Sequence, residues 1–262
     1  MVFMSSINPL YILSGALVGA LVGLTGVGGG SLMTPILVLL FGFHPATAVG
    51  TDLLFASATK SVGTVVHGWR GTVDWRIVIL LASGSLPAAV ITIIALAQLG
   101  NLSANAASLI SAVLGVVLFL TGVSLIFRAK IVNWTSAHFP TVSPRQTATL
   151  TVLLGALLGV AVSLTSVGAG AIGMTALLIL YPSRATYRIA GTDIAHAVPL
   201  TLIGGIGHWM IGSVDLLLLG SLMIGSIPGI AIGSLASQHV GDSRLRIVLA
   251  ATLMIVGAKV LV

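Results

Sequence analysis

The stretch from Leu24 to Pro35 reads LTGVGGGSLMTP and places four glycines between two strongly apolar runs. Glycine costs a helix interior about 1 kcal/mol relative to alanine, so this stretch predicts a break in a helix. A second stretch, Leu164 to Thr175, reads LTSVGAGAIGMT and has the same arrangement. The flanking runs are apolar enough to lie in a membrane, where broken backbone hydrogen bonds are tolerated only inside the protein or beside a cavity.

The composition is that of a polytopic membrane protein. Hydrophobic residues make up 57% of the chain and charged residues 6%, whereas a soluble domain carries about 25% charged residues. The chain has no glutamate and no cysteine, and its acids are Asp52, Asp74, Asp193, Asp215 and Asp242. The net charge of +6 is scattered between apolar runs, which favours a role in membrane orientation over nucleic-acid binding.

About ten hydrophobic segments follow one another along the chain, and the second and seventh are short. Their approximate bounds are 8–27, 31–43, 46–66, 75–98, 103–127, 148–166, 170–182, 187–209, 215–236 and 245–262. The first segment lacks the features of a cleaved signal peptide and is interpreted as a retained span. We expect an all-α polytopic membrane protein with an N-terminal repeat at 1–127, a cytoplasmic linker loop at 128–147 and a C-terminal repeat at 148–262.

The two halves are copies of one another. The tripeptide GTD at 50–52 recurs 141 residues later at 191–193, and the same offset pairs His67 with His208 and Pro87 with Pro228. Five segments per half is an odd number, so the second half enters the membrane from the opposite side and the repeats are inverted. Segments 1/2 and 6/7 are broken helices, and the sequence leaves open whether they span the membrane or are re-entrant.

The positive charges predict the orientation. Lysines and arginines follow segments three, five, seven and nine, and none follows segments two, four, six or eight. By the positive-inside rule the basic loops are cytoplasmic. The sequence therefore predicts a multi-pass protein of the cell inner membrane with both termini in the periplasm.

The glycine stretches predict an anion site. A helix that begins within the membrane presents unpaired backbone N–H groups and the positive end of its dipole, and glycine lets an anion approach closely. The candidate substrate-binding residues are Thr25, Gly28, Gly29, Gly30, Ser31, Thr165, Ser166, Gly168, Ala169 and Gly170. Tight helix packing is the alternative explanation of such glycines, but two matched stretches, each before a short helix, favour the site. The stretch lacks the GK[ST] of a phosphate loop, so nucleotide binding is rejected.

Six ionisable residues in apolar segments are candidates for ion coupling or gating, namely Asp52, Lys60, His67, Asp193, His196 and His208. Ionisable groups inside a membrane are costly and mark functional sites. The alternative for the two aspartates is a helix cap. The alternative for His67 and His208, which we favour, is a polar residue at the membrane interface. Lys60 aligns with Thr201, so the second half lacks this cation.

The chain resembles the TauE/SafE family of bacterial inner-membrane proteins. The resemblance rests on GVGGG followed by a short helix with TP, on GTD, on HGWRGTVDW at 67–75 and on the degenerate second copy. It covers nearly the whole chain. It implies a secondary transporter that exports a small sulfur-containing anion such as sulfite or an organosulfonate.

Several functions remain open at this stage. The leading hypothesis is an exporter driven by protons or by the membrane potential, with the anion between the two broken elements. The alternatives are an anion channel or uniporter, an importer of a related anion such as thiosulfate, and a membrane enzyme, whose GxSxG and HExxH motifs are missing. We expect no enzymatic activity, cofactor, metal site or nucleic-acid partner. The expected partners are the anion and the lipid bilayer, with a homo-oligomer left open.

Overall fold

The computed structural model describes residues 8–25, 30–69, 71–100, 103–138, 143–236 and 242–261. Within these ranges the regular structure is entirely α-helical and consists of ten helices. Their bounds are α1 (Pro9–Thr25), α2 (Gly30–Leu39), α3 (Pro45–Trp69), α4 (Trp75–Leu99), α5 (Ala104–His138), α6 (Pro144–Thr165), α7 (Ile172–Leu180), α8 (Thr186–Met210), α9 (Leu216–Ala236) and α10 (Asp242–Leu261). The predicted all-α fold is confirmed.

Four of these helices are long and apolar enough to cross a bilayer. They are Trp75–Leu99, Ala107–Thr135, Pro144–Thr165 and Thr186–Met210, and shorter apolar helices cover Pro9–Val22 and Leu216–Ile232. Large apolar side chains on the outer faces of α4 and α6, such as Ile91 and Leu157, are more than half exposed. An apolar surface of this kind belongs in lipid, so the chain is a multi-pass membrane protein.

The main helix pairings all join the first half of the chain to the second. Helix α1 packs on α9, α4 on α6, α3 on α8, and α5 on α10. The pairings agree with the sequence repeat, because α1 corresponds to α6 and α9 corresponds to α4. The two halves therefore make equivalent contacts with each other.

Glycines bring two of these pairs into backbone contact. Gly15 and Gly19 lie on α1, and Gly155 and Gly159 lie at the corresponding positions of α6. The carbonyl groups that a Cβ at these positions would meet belong, in the same order, to Leu222, Ser226, Leu81 and Ser85. Small residues allow such close approach between membrane helices. Glycines of α1 and α6 thus make close packing contacts between the two halves.

The second glycine stretch breaks the helix as the sequence predicts. Helix α6 ends at Thr165, Ser166 adopts a left-handed conformation with φ 60° and Gly168 has φ 118°. Helix α7 then returns alongside α6, because the Tyr181 hydroxyl at its end lies 2.8 Å from the hydroxyl of Thr151. Helices α6 and α7 therefore form a hairpin. In the first half α1 ends and α2 begins around residues 26–29, which lie outside the described residues.

The polar segment 128–147, expected as a linker loop, is largely helical. Helix α5 continues to His138, and α6 begins at Pro144 after a capping box formed by Ser143 and Gln146. With 35 residues, α5 is about 52 Å long and exceeds the roughly 30 Å hydrocarbon core. Arg128 is consequently a buried helical residue and not a loop residue.

The contact between α1 and α9 can be tested with two glycines of α9. A Cβ at Gly225 would meet the backbone of Ile12 and Ala16, whereas a Cβ at Gly220 would meet nothing within 4 Å. We expect Gly225→Ala to destabilise the purified protein by about 3 kcal/mol through overpacking. Gly220→Ala should be neutral or stabilising, since alanine is the better helix former. Thermal unfolding in detergent measures both, and equal effects would contradict the packing described here.

Candidate functional site

The three residues of each GTD tripeptide make different contacts. Gly50 and Gly191 let α3 and α8 approach the neighbouring helix ends, because a Cβ at Gly191 would lie 2.9 Å from the His67 ring. Thr192 Oγ1 accepts a hydrogen bond from the backbone N–H of Asp74 at 2.9 Å. The aspartate of each tripeptide, Asp52 or Asp193, is then buried in the protein interior.

The threonine contact is made twice, in equivalent places. Thr51 Oγ1 accepts from the backbone N–H of Asp215 at 3.1 Å, as Thr192 Oγ1 accepts from that of Asp74. Asp74 and Asp215 immediately precede α4 and α9. Each central helix therefore positions the start of a helix from the other half.

Asp52 joins α3 to the short helix α2. Its Oδ2 accepts hydrogen bonds from the backbone N–H and the hydroxyl of Thr34, at 3.1 and 2.7 Å. Its Oδ1 is buried and has no hydrogen-bond partner among the described residues. The Ser166 hydroxyl, from the break between α6 and α7, lies near the same carboxyl group. Asp52 lies inside α3 and bonds to α2, so it does not cap the start of its own helix, and its carboxyl group lies near the break between α6 and α7.

Asp193 approaches the start of α7 in a different way. Its buried Oδ1 lies 2.8 Å from the position that a Cβ at Gly173 would occupy. Within the described part of the chain this oxygen also has no hydrogen-bond partner. Gly173 has no counterpart in the first half, where Asp52 instead accepts a hydrogen bond from the backbone of α2 at Thr34. The two breaks are therefore not equivalent.

Two buried cations accompany the two aspartates. Lys60 lies within electrostatic range of both Asp52 and Asp193, and Arg128 lies within range of Asp193. Lys60 and Arg128 are each 7% exposed. Both come from the N-terminal half, and the repeat partner of Lys60 is Thr201. The buried cations are therefore not repeated in the second half, although the helix contacts of the two halves are equivalent.

His196 belongs to this centre. Its Nε2 lies 2.8 Å from the hydroxyl of Ser85 on α4, and Lys60 is within electrostatic range. The other ring nitrogen, Nδ1, is buried without a hydrogen-bond partner among the described residues. Nδ1 of His196 is therefore a buried polar atom that can bind a further group.

The two repeat-related histidines occupy different environments. His208 is fully buried, and its Nε2 lies 2.9 Å from the Ser163 carbonyl oxygen, which only accepts, so Nε2 carries the proton. The interfacial position that we favoured for His208 is thus wrong. His67 is half-buried, and its Nδ1 lies 2.9 Å from the Thr72 hydroxyl in the turn after α3. The His208 ring thus bonds the backbone of α6, whereas the His67 ring contacts a side-chain hydroxyl.

The residues of the second break are in the interior, as the anion hypothesis requires. Thr165, Ser166, Gly168 and Ala169 are buried and Gly170 is half-buried. The Thr165 hydroxyl already bonds within the break, since it accepts from the N–H of the next residue but one at 3.1 Å. The Ser166 hydroxyl is buried without a partner among the described residues. Of the two hydroxyls, that of Ser166 is therefore the one not used within the break, and it lies near the carboxyl group of Asp52.

The first break gives less structural detail. Thr25 ends α1, and Gly30 and Ser31 begin α2. Gly28 and Gly29 lie outside the described residues. The first-half candidates therefore stay predictions.

Sequence reasoning missed four residues of the centre, namely Thr34, Ser85, Arg128 and Gly173. Arg128 follows a long apolar run and was assigned to a basic loop, although a helix that continues past this point buries it. Gly173 lies in the second glycine-rich stretch, next to the candidate residues 165–170. The recurrence of Ser85 as Ser226 in the repeat was a signal for a constrained position.

These features define a multi-pass membrane protein with charged groups gathered in its interior, an arrangement that marks a functional site in membrane proteins. The chain belongs to the TauE/SafE family, because the family model described as "Sulfite exporter TauE/SafE" matches residues 11–260. The family prediction is thereby confirmed.

Relatives from bacteria and an archaeon agree with this assignment. The "Probable membrane transporter protein YjnA" of Bacillus subtilis (strain 168) is 39% identical over 251 residues, which cover 95% of this chain and 98% of the relative. The "Probable membrane transporter protein MJ0441" of Methanocaldococcus jannaschii is 25% identical over 268 residues, covering 95% and 93%. No solved structure matches the chain. The family and the names of these relatives indicate a membrane transporter rather than an enzyme.

The threonine contacts between the halves give a stability prediction. Thr192→Val or Thr51→Val removes the acceptor of a partly buried backbone N–H, which should cost about 1–3 kcal/mol in thermal unfolding. The control is Thr59→Val on α3, whose hydroxyl donates only to its own helix at Ala56. A loss in Thr59→Val as large as in the other two variants would contradict the assigned role.

Proposed function

We propose that the protein exports a small sulfur-containing anion, sulfite or an organosulfonate, across the bacterial inner membrane. The observation that carries the proposal is the burial of Lys60 and Arg128 within electrostatic range of carboxylates close to the break between α6 and α7. Charges in a membrane interior are costly and are retained for function. The family description, which names sulfite, supports the substrate class.

The proposed anion site lies where the second break meets α3 and α8. The unpartnered hydroxyl of Ser166 is a hydrogen-bond donor to the anion, and the start of α7 adds the positive end of its dipole. Lys60 supplies the charge. The N–H of Gly173 already donates to the Gly168 carbonyl at 3.0 Å, so the anion relies on the hydroxyl, the dipole and the cation rather than on that amide.

Inverted repeats provide the proposed means of alternating access. The equivalent hydrogen bonds of Thr51 and Thr192, and the equivalent glycine contacts of α1 with α9 and α6 with α4, support two related halves. Rocking of one repeat against the other exposes the central site to each side in turn. The repeats are those at 1–127 and 148–262.

The proposed orientation places the arginine-rich end of the molecule in the cytoplasm. Arg184 pairs with Asp74 at 3.1 Å, and Arg188 donates to the Gly71 carbonyl at 3.0 Å. These contacts hold together the loops after α3 and α7, which the positive-inside rule assigns to the same face. The equivalent turn beside Asp215, after α8, carries no lysine or arginine in the sequence. This orientation places both termini in the periplasm.

The orientation can be tested by labelling single cysteines, since the natural chain has none. Pro144 and Leu99 are exposed at the ends of α6 and α4. In intact cells a membrane-impermeant maleimide should label Leu99→Cys and should label Pro144→Cys only after the membrane is permeabilised. The opposite pattern would invert the proposed topology.

The proposed function is tested by sulfite efflux from proteoliposomes. We expect saturable flux in the natural protein and at least a tenfold loss in Lys60→Gln, because the buried cation that attracts the anion is removed. Lys130→Gln is the matched control, since Lys130 is exposed on α5. Natural-level flux in Lys60→Gln, or none in the unaltered protein with sulfite or organosulfonates, would refute the proposal.

A further inference from the structure

The central charges balance one another. The carboxylates of Asp52 and Asp193 face the cations Lys60 and Arg128, so the four groups sum to zero when all are ionised. All four side chains are at least nine-tenths buried. The short helices α2 and α7 contain no charged residue, and Arg76 and Arg145 at the starts of α4 and α6 are exposed. We call Asp52, Lys60, Arg128 and Asp193 the central charge cluster.

An anion that enters this cluster makes it negative. A net charge in a medium of low dielectric constant costs several kcal/mol unless it is paired or neutralised. The cluster holds no further cation to provide, because both cations already face carboxylates. A proton taken up by a carboxylate restores the net charge that the cluster had before the anion bound. This holds whichever group of the cluster was protonated beforehand, because only the change in net charge on binding matters.

The carboxylates have atoms ready to receive such protons. Oδ1 of Asp193 and Oδ1 of Asp52 are both buried without a hydrogen-bond partner among the described residues. Protonation of Oδ1 of Asp193 breaks no hydrogen bond. Asp52 also holds Thr34 through Oδ2, whereas Asp193 lies against Gly173 at the start of α7. Asp193 is therefore the first acceptor and Asp52 the second.

The nearby histidines are poorer acceptors. His196 faces Lys60, and a second positive charge beside that ammonium group is unfavourable. His208 lies 15 residues beyond Asp193 on α8, which is about 22 Å along the helix. The carboxylates of Asp52 and Asp193 are therefore the groups that take up protons when the anion binds.

We propose that the anion and protons bind the central charge cluster together, with one proton taken up for each negative charge of the anion. The protein then carries the anion as the equivalent of its neutral acid. This inference rests on the proposed anion site and names its coupled ion. Anion and proton favour one another's binding, so they travel in the same direction and the transport cycle moves no net charge.

The coupling determines what drives the flux. A proton gradient directed into the cell favours entry of the anion, and export requires a cytoplasmic excess of the anion that outweighs this gradient. The membrane potential has no effect on an electroneutral cycle. These properties differ from those of an exporter that exchanges the anion for protons, and from those of a uniporter driven by voltage.

The experiment counts protons on binding in the purified, full-length protein. The probes are methanesulfonate, a monoanion, and ethane-1,2-disulfonate, a dianion, because sulfonates stay ionised near neutral pH and take up no proton themselves. Calorimetry in two buffers with different ionisation enthalpies gives the number. We expect uptake of one proton with methanesulfonate and of two with ethane-1,2-disulfonate. For each unit by which the pH rises, the affinity should fall about tenfold for the first probe and about a hundredfold for the second.

Two variants assign the protons. Asp193→Asn leaves the cluster one negative charge short, so methanesulfonate should bind it without proton uptake. Asp74→Asn is the control, since this carboxylate pairs with Arg184 away from the cluster. In proteoliposomes of the unaltered protein, flux should respond to a pH gradient and not to a clamped voltage, which tests the coupling even if Asp193→Asn does not fold.

The outcomes separate the two proposals. Binding of the sulfonates without proton uptake, or flux that follows voltage alone, would overturn the coupling and leave the anion site intact. Failure of sulfite and both sulfonates to bind would overturn the proposed function and the coupling with it. Equal proton uptake by Asp193→Asn and Asp74→Asn would move the first proton away from Asp193.

Discussion

The packing of α3 against α8 is the contact on which the rest of the structure depends. These helices carry Asp52, Lys60, Asp193 and His196, which cannot face lipid without a large free-energy cost. The apolar helices around them supply the surface that meets the bilayer. The same two helices also provide the threonines that hold the starts of α4 and α9. Separation of α3 from α8 would therefore expose these charged groups and disturb the starts of α4 and α9.

The sequence predicted the positions of the helices and their breaks better than the contacts of the buried polar residues. Helix breaks, apolar runs and the GTD repeat follow local rules, and the structure has a helix for each of the ten predicted segments and the second break where glycines indicate it. Arg128 was misplaced because an apolar run ended before the helix did. The burial of His208 and the approach of Asp193 to Gly173 depend on contacts between distant segments. Local pattern contains no information about such contacts.

The glycine contacts between helices are equivalent in the two halves, whereas the buried charged residues are not, and the difference has a physical reason. Glycine contacts between helices depend on shape alone, so both halves keep them at equivalent positions. The buried cations, in contrast, are not repeated, since the position equivalent to Lys60 is Thr201. Lys60 and Arg128 come from the first half, and the second half provides the open start of α7. Equivalent helix contacts can therefore surround an unsymmetrical set of buried charges.

The pairing of helices across the two halves also bears on how the chain is made. Helices α1, α3, α4 and α5 find their main partners in α9, α8, α6 and α10, all of which are synthesised later. During translation the first half enters the bilayer with its packing faces and with Asp52 and Lys60 still unmatched. Its assembly must wait for the second half to leave the ribosome. The helices of the first half therefore acquire their main packing partners only after the second half has been inserted.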